Sequence, residues 1–341
     1  MKKALFIGGP GNISTSTVKE LLEQNWEVGV FTLPESPDKG LEGKVRFFRG
    51  NRNKPEELDA AITQFNPEVV LDFVCFTPKQ ATQIVDLTYG RIKQFIFVST
   101  CDVYGYPLSR LPMEEDDPWN LPNCKYASDK RGCEDIFWKK FKEDKKKFPL
   151  TVARPSYSMG ETFVITAFSR GGGKYLIPRL RAGMPILVPG DGTTLIHPSV
   201  AYNTGRMIAQ FTGVKECIGK SYTCGQDTFM THDDYIKLFA KVLGVEPNIV
   251  HIPTDLLYSL DSDEVKDSIL NDLTRHNVAF SMANFKKDFP NFKWNMPLEE
   301  IAKQYIQWND ENGTFADIGE EIYEDKVIKN WGKMLHNFKV E

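Results

Sequence analysis

Tyr126 and Lys130 stand four residues apart in a stretch with helical character, so both lie on one face. A phenol in water has a pKa of about 10. A neighbouring ammonium, or a positively charged ring beside it, favours the phenolate. Such a tyrosine takes the proton of a secondary alcohol while hydride leaves the same carbon. Thr100 ends an apolar run, Phe95-Ile96-Phe97-Val98, within Ser99-Thr100-Cys101-Asp102-Val103-Tyr104-Gly105. Its hydroxyl is placed to bond the same alcohol oxygen. The Y-x-x-x-K spacing recurs at Tyr89 and Lys93, but that copy precedes the run bearing Thr100 and is read as surface.

Hydride chemistry needs an acceptor, and the N-terminus carries a sign of one. Gly8-Gly9-Pro10-Gly11-Asn12-Ile13-Ser14 follows a short apolar strand and opens a helical segment. That context suits a dinucleotide-binding turn. Gly8 allows the tight turn. Gly11, with Asn12 and Ile13, brings backbone close to a pyrophosphate at a helix N-terminus. Ser14 replaces the usual third glycine and is small enough for close packing. Thr32 holds the place where a carboxylate usually grips the adenosine ribose. The cofactor is therefore read as NAD or NADP, leaning to NAD. Asn51 and Arg52 follow the third strand, where Asn51 is placed to meet an adenine edge. Phe73, Val74, Val98 and Pro155, at or next to strand ends, complete the expected cofactor wall with Tyr126 and Lys130.

The elements needed to position these residues alternate along the first half. Strands are expected at Ala4–Ile7, Glu27–Leu33, Val45–Phe48, Val69–Phe73, Gln94–Val98 and Leu150–Ala153. Helices are expected at Ser14–Gln24, Pro55–Phe65, Lys79–Tyr89 and Lys125–Phe148. This rhythm predicts an α/β fold, a Rossmann-type doubly wound parallel sheet. After Arg154 the pattern loosens towards a smaller, mixed substrate domain. Helices are expected there at Phe163–Ser169, Tyr175–Ala182, Val200–Phe211, Thr231–Leu243, Leu298–Gln307 and Glu320–Leu335. Met184–Pro189 and Ser221–Cys224 read as isolated short strands. Gly171-Gly172-Gly173 reads as either a lid or a helix terminator.

Composition narrows the function classes. Apolar residues are 41% and charged residues 26%, enough apolar material to exclude general disorder. The formal charge of −4 makes duplex nucleic acid a poor default partner. Six lysines between 139 and 147 form a local basic run, read as a solvated helix end. The six cysteines show no C-x-x-C pair and the five histidines no clustering, so metal is not expected and the thiols are read as reduced. The apolar run after Lys3 stops at Gly8, too short for a signal core. No stretch approaches the roughly 18 apolar residues of a membrane span. A cytoplasmic protein without membrane partners is the expectation.

Several blocks together resemble the extended and atypical short-chain dehydrogenase/reductases, especially the NAD-dependent epimerase/dehydratase group. They are Gly8–Ser14, Ser99–Gly105, Tyr126–Lys130, Arg154-Pro155, Gly183–Gly192, Ile196–Ala201 and Leu298–Trp308. The resemblance implies an NAD(P)-binding Rossmann domain over 1–155, a partly interleaved substrate region over 156–310, and an extension over 311–341. It implies Tyr126, Lys130 and Thr100 as catalytic residues. Cys101, Asp102, Arg154, Ser156, Arg179 and His197 become candidates to line the substrate, although His197 in its block more often supports the fold. Nucleotide-sugar dehydratases carry Asp and Glu where Cys101 and Asp102 stand, and a thiol is a poor acid for expelling hydroxide. The likeness therefore favours epimerisation of a sugar or nucleotide sugar through a transient ketone. Epimerases usually place an arginine near Ile196-His197 to grip a diphosphate. Gly192-Thr193-Thr194-Leu195 has none, which leaves Arg179, Arg181 or Arg275 as substitutes. A reductase with net cofactor turnover, and a non-catalytic dinucleotide-sensing or RNA-binding protein, are the alternatives. A homodimer is compatible with the resemblance.

Overall fold

A computed structural model describes residues 2–169 and 173–338. Gly171 and Gly172 of the glycine triplet lie outside the described residues. The strands are β1 (Lys3–Ile7), β2 (Glu27–Thr32), β3 (Arg46–Arg49), β4 (Val69–Asp72), β5 (Gln94–Val98), β6 (Leu150–Pro155), β7 (Tyr157–Met159), β8 (Pro185–Pro189), β9 (Leu195–Ile196), β10 (Pro198–Val200), β11 (Ser221–Cys224), β12 (Met230–Thr231) and β13 (Asn248–Ile252). The helices are α1 (Ser14–Glu23), α2 (Pro55–Phe65), α3 (Pro78–Thr88), α4 (Lys125–Glu143), α5 (Gly173–Arg181), α6 (Ala201–Phe211), α7 (His232–Leu243), α8 (Thr254–Ser259), α9 (Asp263–Lys266), α10 (Ala283–Asp288), α11 (Leu298–Asn312) and α12 (Tyr323–Asn337).

Seven strands form one parallel sheet in the order β11-β6-β5-β4-β1-β2-β3. Successive residues point to opposite faces, and both faces are covered. Along β1, Ala4 and Phe6 enter one core cluster, and Leu5 and Ile7 enter the other. That is why the run reads as continuous apolar sequence. The order of strands reverses between β1 and β4, which opens a crevice at their carboxyl ends.

The structure corrects four expectations. Ser221–Cys224 is not isolated: it pairs with β6 and completes the main sheet from beyond the expected domain boundary. Pro185–Pro189 pairs in parallel with β13. No helix forms over 163–169, because its carbonyls serve distant partners. Ile165 O accepts from the Tyr235 hydroxyl at 2.9 Å, and Phe168 O accepts from Ile269 N at 3.0 Å. The long helix stops at Glu143 rather than reaching Phe148. There the Asp144 carboxylate accepts from the backbone N–H groups of Lys146 and Lys147, closing a turn.

The second half also braces the first. A Cβ on Gly205 of α6 would lie 2.0 Å from Ser16 Oγ and 2.4 Å from Ile13 O, so only glycine allows this approach to α1. The Thr17 hydroxyl donates to Gly205 O at 2.9 Å across the contact. The C-terminal extension is not detached: α12 packs on β8 and β13, and Asp325 pairs with Arg179.

Candidate active site

The turn after β1 has the backbone its glycines predict. Gly8 and Gly9 have φ of +88° and +117°, and a Cβ on Gly8 would strike Val74 Cγ1 at 2.5 Å. Ser14 does more than fit: its Oγ accepts from Gly11 N at 2.8 Å and holds the loop against α1. The side chain of Asn12 donates to Ser158 O at 2.7 Å, tying the loop to β7.

The helix α4 presents Lys130, Cys133, Glu134 and Phe137 to the protein interior at helical spacing. Lys130 is buried and donates to Val98 O at 2.7 Å and Cys75 O at 3.0 Å. These bonds occupy two of its three donors. Its ammonium also sits 4.3 Å from the Phe97 ring centroid. Burial lowers its pKa, against the opposing pull of nearby Cys75 and Asp72.

Tyr126 leads the same helix with its side chain 44% exposed, while its hydroxyl lies beside Thr100 and Asp102. Burial of the hydroxyl end raises the phenol pKa, and the Asp102 charge raises it further. The Thr100 contact pulls in the opposite direction. The expected lowering by Lys130 is not among the influences on it. The resting phenol is therefore protonated at neutral pH.

One cleft of about 350 Å³ collects these groups at the carboxyl edge of the sheet. Its wall includes Gly11, Asn12, Ile13, Phe73, Val74, Val98, Thr100, Tyr126, Lys130, Pro155 and Ser156, all anticipated from sequence. Gly8 supports it from behind Val74. The wall fits a dinucleotide. A Cβ on Gly11 would meet only Ser14 Oγ, at an ordinary 3.5 Å, so the backbone there faces open space. No acidic residue stands in the first turn of α1 to repel a pyrophosphate.

Other nominated residues are placed elsewhere. Thr32 is buried, and its carbonyl accepts from Gly50 N at 2.9 Å. The Asn51 side chain accepts from Asn53 N within its own turn. Arg52 is buried against Asp72 with bonds of 3.1 and 3.0 Å. Cys101 is buried, and burial and Asp102 keep its thiol protonated. Arg154 is buried in a two-point ion pair with Glu134, at 3.0 and 2.7 Å. Burial alone would raise the Glu134 pKa, but Arg154 holds it below the usual carboxylate range. Arg179 reaches Asp325 and Pro185 O in a different cavity. His197 is wholly buried between Gln226 O at 2.8 Å and Phe280 N at 3.0 Å, and burial lowers its pKa to about 4. As substrate contacts, Arg154, Arg179, His197 and Cys101 are corrected: protein groups already satisfy their polar atoms. Arg181 is likewise paired with Asp310, and Arg275 stacks 3.9 Å from the Tyr258 centroid. The second Y-x-x-x-K copy is outside the cleft, with Tyr89 bonded to Asp144 and Lys93 to Glu68.

Sequence reading overlooked Tyr106 and Tyr157. Both hydroxyls donate to Asp102 Oδ1, at 3.0 and 3.1 Å, and Thr100 donates to Oδ2 at 3.1 Å. The carboxylate is thus held by three hydroxyls beside Tyr126. Tyr157 lies just past the Arg154-Pro155 block, and nothing local aims it across the cleft at Asp102. Among the described residues, no group of three or more His, Cys, Asp or Glu is placed to hold a metal. No described helix is long and apolar enough to cross a membrane.

The parallel sheet is Rossmann-like, and its glycine turn, Thr100, Tyr126 and Lys130 line one cleft at the carboxyl edge. Residues 4–196 match the NAD dependent epimerase/dehydratase family model, and the chain belongs to that family. It is 28% identical over 150 residues to a UDP-glucose 4-epimerase of Halalkalibacterium halodurans, which covers 39% of this chain and 44% of that protein. A UDP-glucose 4-epimerase of Lactobacillus helveticus is 28% identical over 139 residues, 36% of this chain and 42% of the relative. The chain thus spans less than half the length of these curated relatives. Its fold is similar to dTDP-glucose 4,6-dehydratase of Bacillus anthracis in complex with NAD, with TM-score 0.71, 18% identity and coverage of 92% and 97%. It is equally similar to UDP-glucose 4-epimerase of Bifidobacterium longum in complex with NAD+ and UDP, with TM-score 0.71, 16% identity and coverage of 92% and 100%.

Proposed function

We propose that this protein is an NAD-dependent epimerase acting on a secondary alcohol of a sugar or nucleotide sugar through a transient ketone. One observation carries the reading: the glycine turn, Thr100, Tyr126 and Lys130 share a single cleft at the sheet's switch point. Relatives solved with NAD support that form of the cofactor. A bound nicotinamide dinucleotide would supply the acceptor and donor of hydride. Gly11, Asn12 and Ile13 would hold its phosphates, and Lys130 would meet its ribose with the remaining donor.

Tyr126 moves the proton at the reacting oxygen. Thr100 donates to the Asp102 carboxylate and accepts from Asp102 N at 3.2 Å, which leaves one lone pair to accept from the substrate hydroxyl. Asp102 cannot drift, because Tyr106 and Tyr157 hold its other oxygen. The test is incubation with NAD and each of UDP-glucose, UDP-galactose and the free sugars. Interconversion of epimers without accumulating NADH, abolished by Tyr126→Phe, supports the reading. Absence of interconversion with every pair defeats it.

A second reading runs the same proton transfer in the opposite direction. Tyr126 is protonated at neutral pH, as an ordinary phenol is, and can protonate a carbonyl oxygen as hydride arrives. A net ketoreductase is then the activity, and stoichiometric loss of NADH absorbance with a ketose distinguishes it.

A further inference from the structure

A cavity of about 800 Å³ lies at the opposite, N-terminal edge of the sheet from the glycine turn. It opens below the starts of β1, β4, β5 and β6 and is closed by the end of α4 and the segment 213–219. No residue of the family's Tyr-Lys-Thr centre reaches it.

Its chemistry is consistent throughout. The floor is apolar and partly aromatic: Trp26, Ile92, Phe141, Pro149, Val214 and Ile218. The rim carries five lysines: Lys2, Lys93, Lys145, Lys146 and Lys215, all exposed. Glu68 is the one acidic residue in its wall, and Lys93 neutralises it at 2.7 Å. Two ammonium groups already lie over the floor's rings, Lys2 at 5.2 Å from Trp26 and Lys145 at 5.5 Å from Phe141. The wall is therefore strongly positive in a chain of net charge −4. The termination of α4 at Glu143 explains the placement. The Asp144 turn folds Lys145 and Lys146 back over the sheet edge rather than along a solvated helix.

We propose that this cavity binds a flat organic polyanion, with an apolar body against the floor at the half-buried Val214 and Ile218 and its negative charges among the lysines. Its volume is within the roughly 300–1,000 Å³ of small-molecule sites. Apolar contact to the floor and screened attraction from the rim would act together. Ligands of this class include nucleoside polyphosphates and aromatic sulfonates. The site is separate from the cofactor cleft and holds whatever reaction the Tyr126 centre performs.

The test is a titration of the full chain with 8-hydroxypyrene-1,3,6-trisulfonate, followed by fluorescence anisotropy, with NAD at saturation to occupy the cofactor cleft. Saturable one-to-one binding that weakens with salt is expected. The double variant Lys146→Glu/Lys215→Glu should weaken it by about tenfold or more. A matched control, Lys139→Glu/Lys142→Glu, reverses two charges outside the cavity and should change it by less than about twofold. ATP should displace the probe at concentrations where adenosine does not. NAD titration of both variants checks that the sheet's other edge is intact. Binding that never saturates, that falls equally in both variants, or that ATP displaces no better than adenosine would overturn the proposal.

Discussion

The two edges of the parallel sheet carry two different cavities. The N-terminal edge has the larger one, about 800 Å³, with lysines on an apolar floor. The carboxyl edge has one of about 350 Å³, with far fewer charges but with a phenol, a hydroxyl and a buried ammonium converging on it. Size therefore does not locate the proposed chemistry. What marks the smaller cleft is that its groups are fixed and perturbed by their neighbours: Lys130 by two carbonyls, Asp102 by three hydroxyls, Tyr126 by Asp102. The lysines of the larger cavity are exposed surface groups, suited to attracting charge rather than moving a proton.

That contrast is most exposed at Tyr126. Tyr126→Phe should reduce turnover by about 10²–10⁴-fold, the usual scale for losing a positioned acid or base. The side chain is 44% exposed, so stability should change by no more than about 0.5 kcal/mol. Steady-state kinetics beside urea denaturation separate the two effects. Full turnover in the variant would move the reacting group elsewhere in the cleft.

The next comparison lies within the upper region, between groups that line the cleft and groups buried behind it. Arg154→Met leaves the Glu134 carboxylate buried without its cation, and breaking such a pair costs about 3–5 kcal/mol. Urea denaturation should show that loss, and Glu134→Gln combined with Arg154→Met should recover part of it. NAD affinity of the folded fraction should be unchanged. A raised KM at normal stability would instead return Arg154 to the substrate.

These cases show why the sequence was legible in some places and not in others. Strand runs such as Lys3–Ile7 and the glycine turn are local: periodicity and φ requirements stand in consecutive residues. Tyr126 and Lys130 share a helix face for the same reason. Arg154, Arg179 and His197 looked like substrate contacts because a charged or titratable side chain carries no local mark of its partner. Those partners, Glu134, Asp325 and Phe280, lie 20, 146 and 83 residues away. Tyr157 was missed on the same ground, since its bond to Asp102 spans 55 residues. Residues 163–169 have apolar content that suits a helix, yet their carbonyls are taken by Tyr235 and Ile269. Ser221–Cys224 is short, and only its pairing with β6 makes it part of the main sheet.

A pH series tests the buried histidines against the cleft. Burial lowers His197 and His232 to about 4 from an ordinary 6.5. Between these values the unfolded chain binds protons that the folded chain does not. Stability is thus complete above pH 6.5 and declines as pH falls towards 4. At pH 5 each group has removed roughly 2 kcal/mol. Thermal unfolding should follow this trend, and His232→Leu should flatten it, since His232 Nε2 has no hydrogen-bond partner to lose. If His197 touched substrate, its titration would appear as a limb near pH 4 in kcat/KM; none is expected among molecules that remain folded.

The smallest effect is expected at the lower edge, where it is the most diagnostic. Lys146→Glu and Lys215→Glu are both exposed and take no part in the network around Tyr126. Exposed charge changes of this kind alter stability by about 0.5 kcal/mol or less. The long-range field they add at the opposite sheet edge is screened at physiological salt, where the Debye length is about 8 Å. Turnover and NAD affinity should therefore match the unmodified protein even where polyanion binding is lost. A change in kcat without added polyanion would mean that the edges communicate through the sheet, and the lysine rim would then belong to the catalytic apparatus. Unchanged kinetics in the same variants would leave two independent sites on one scaffold, one built from fixed hydrogen bonds and the other from exposed charge.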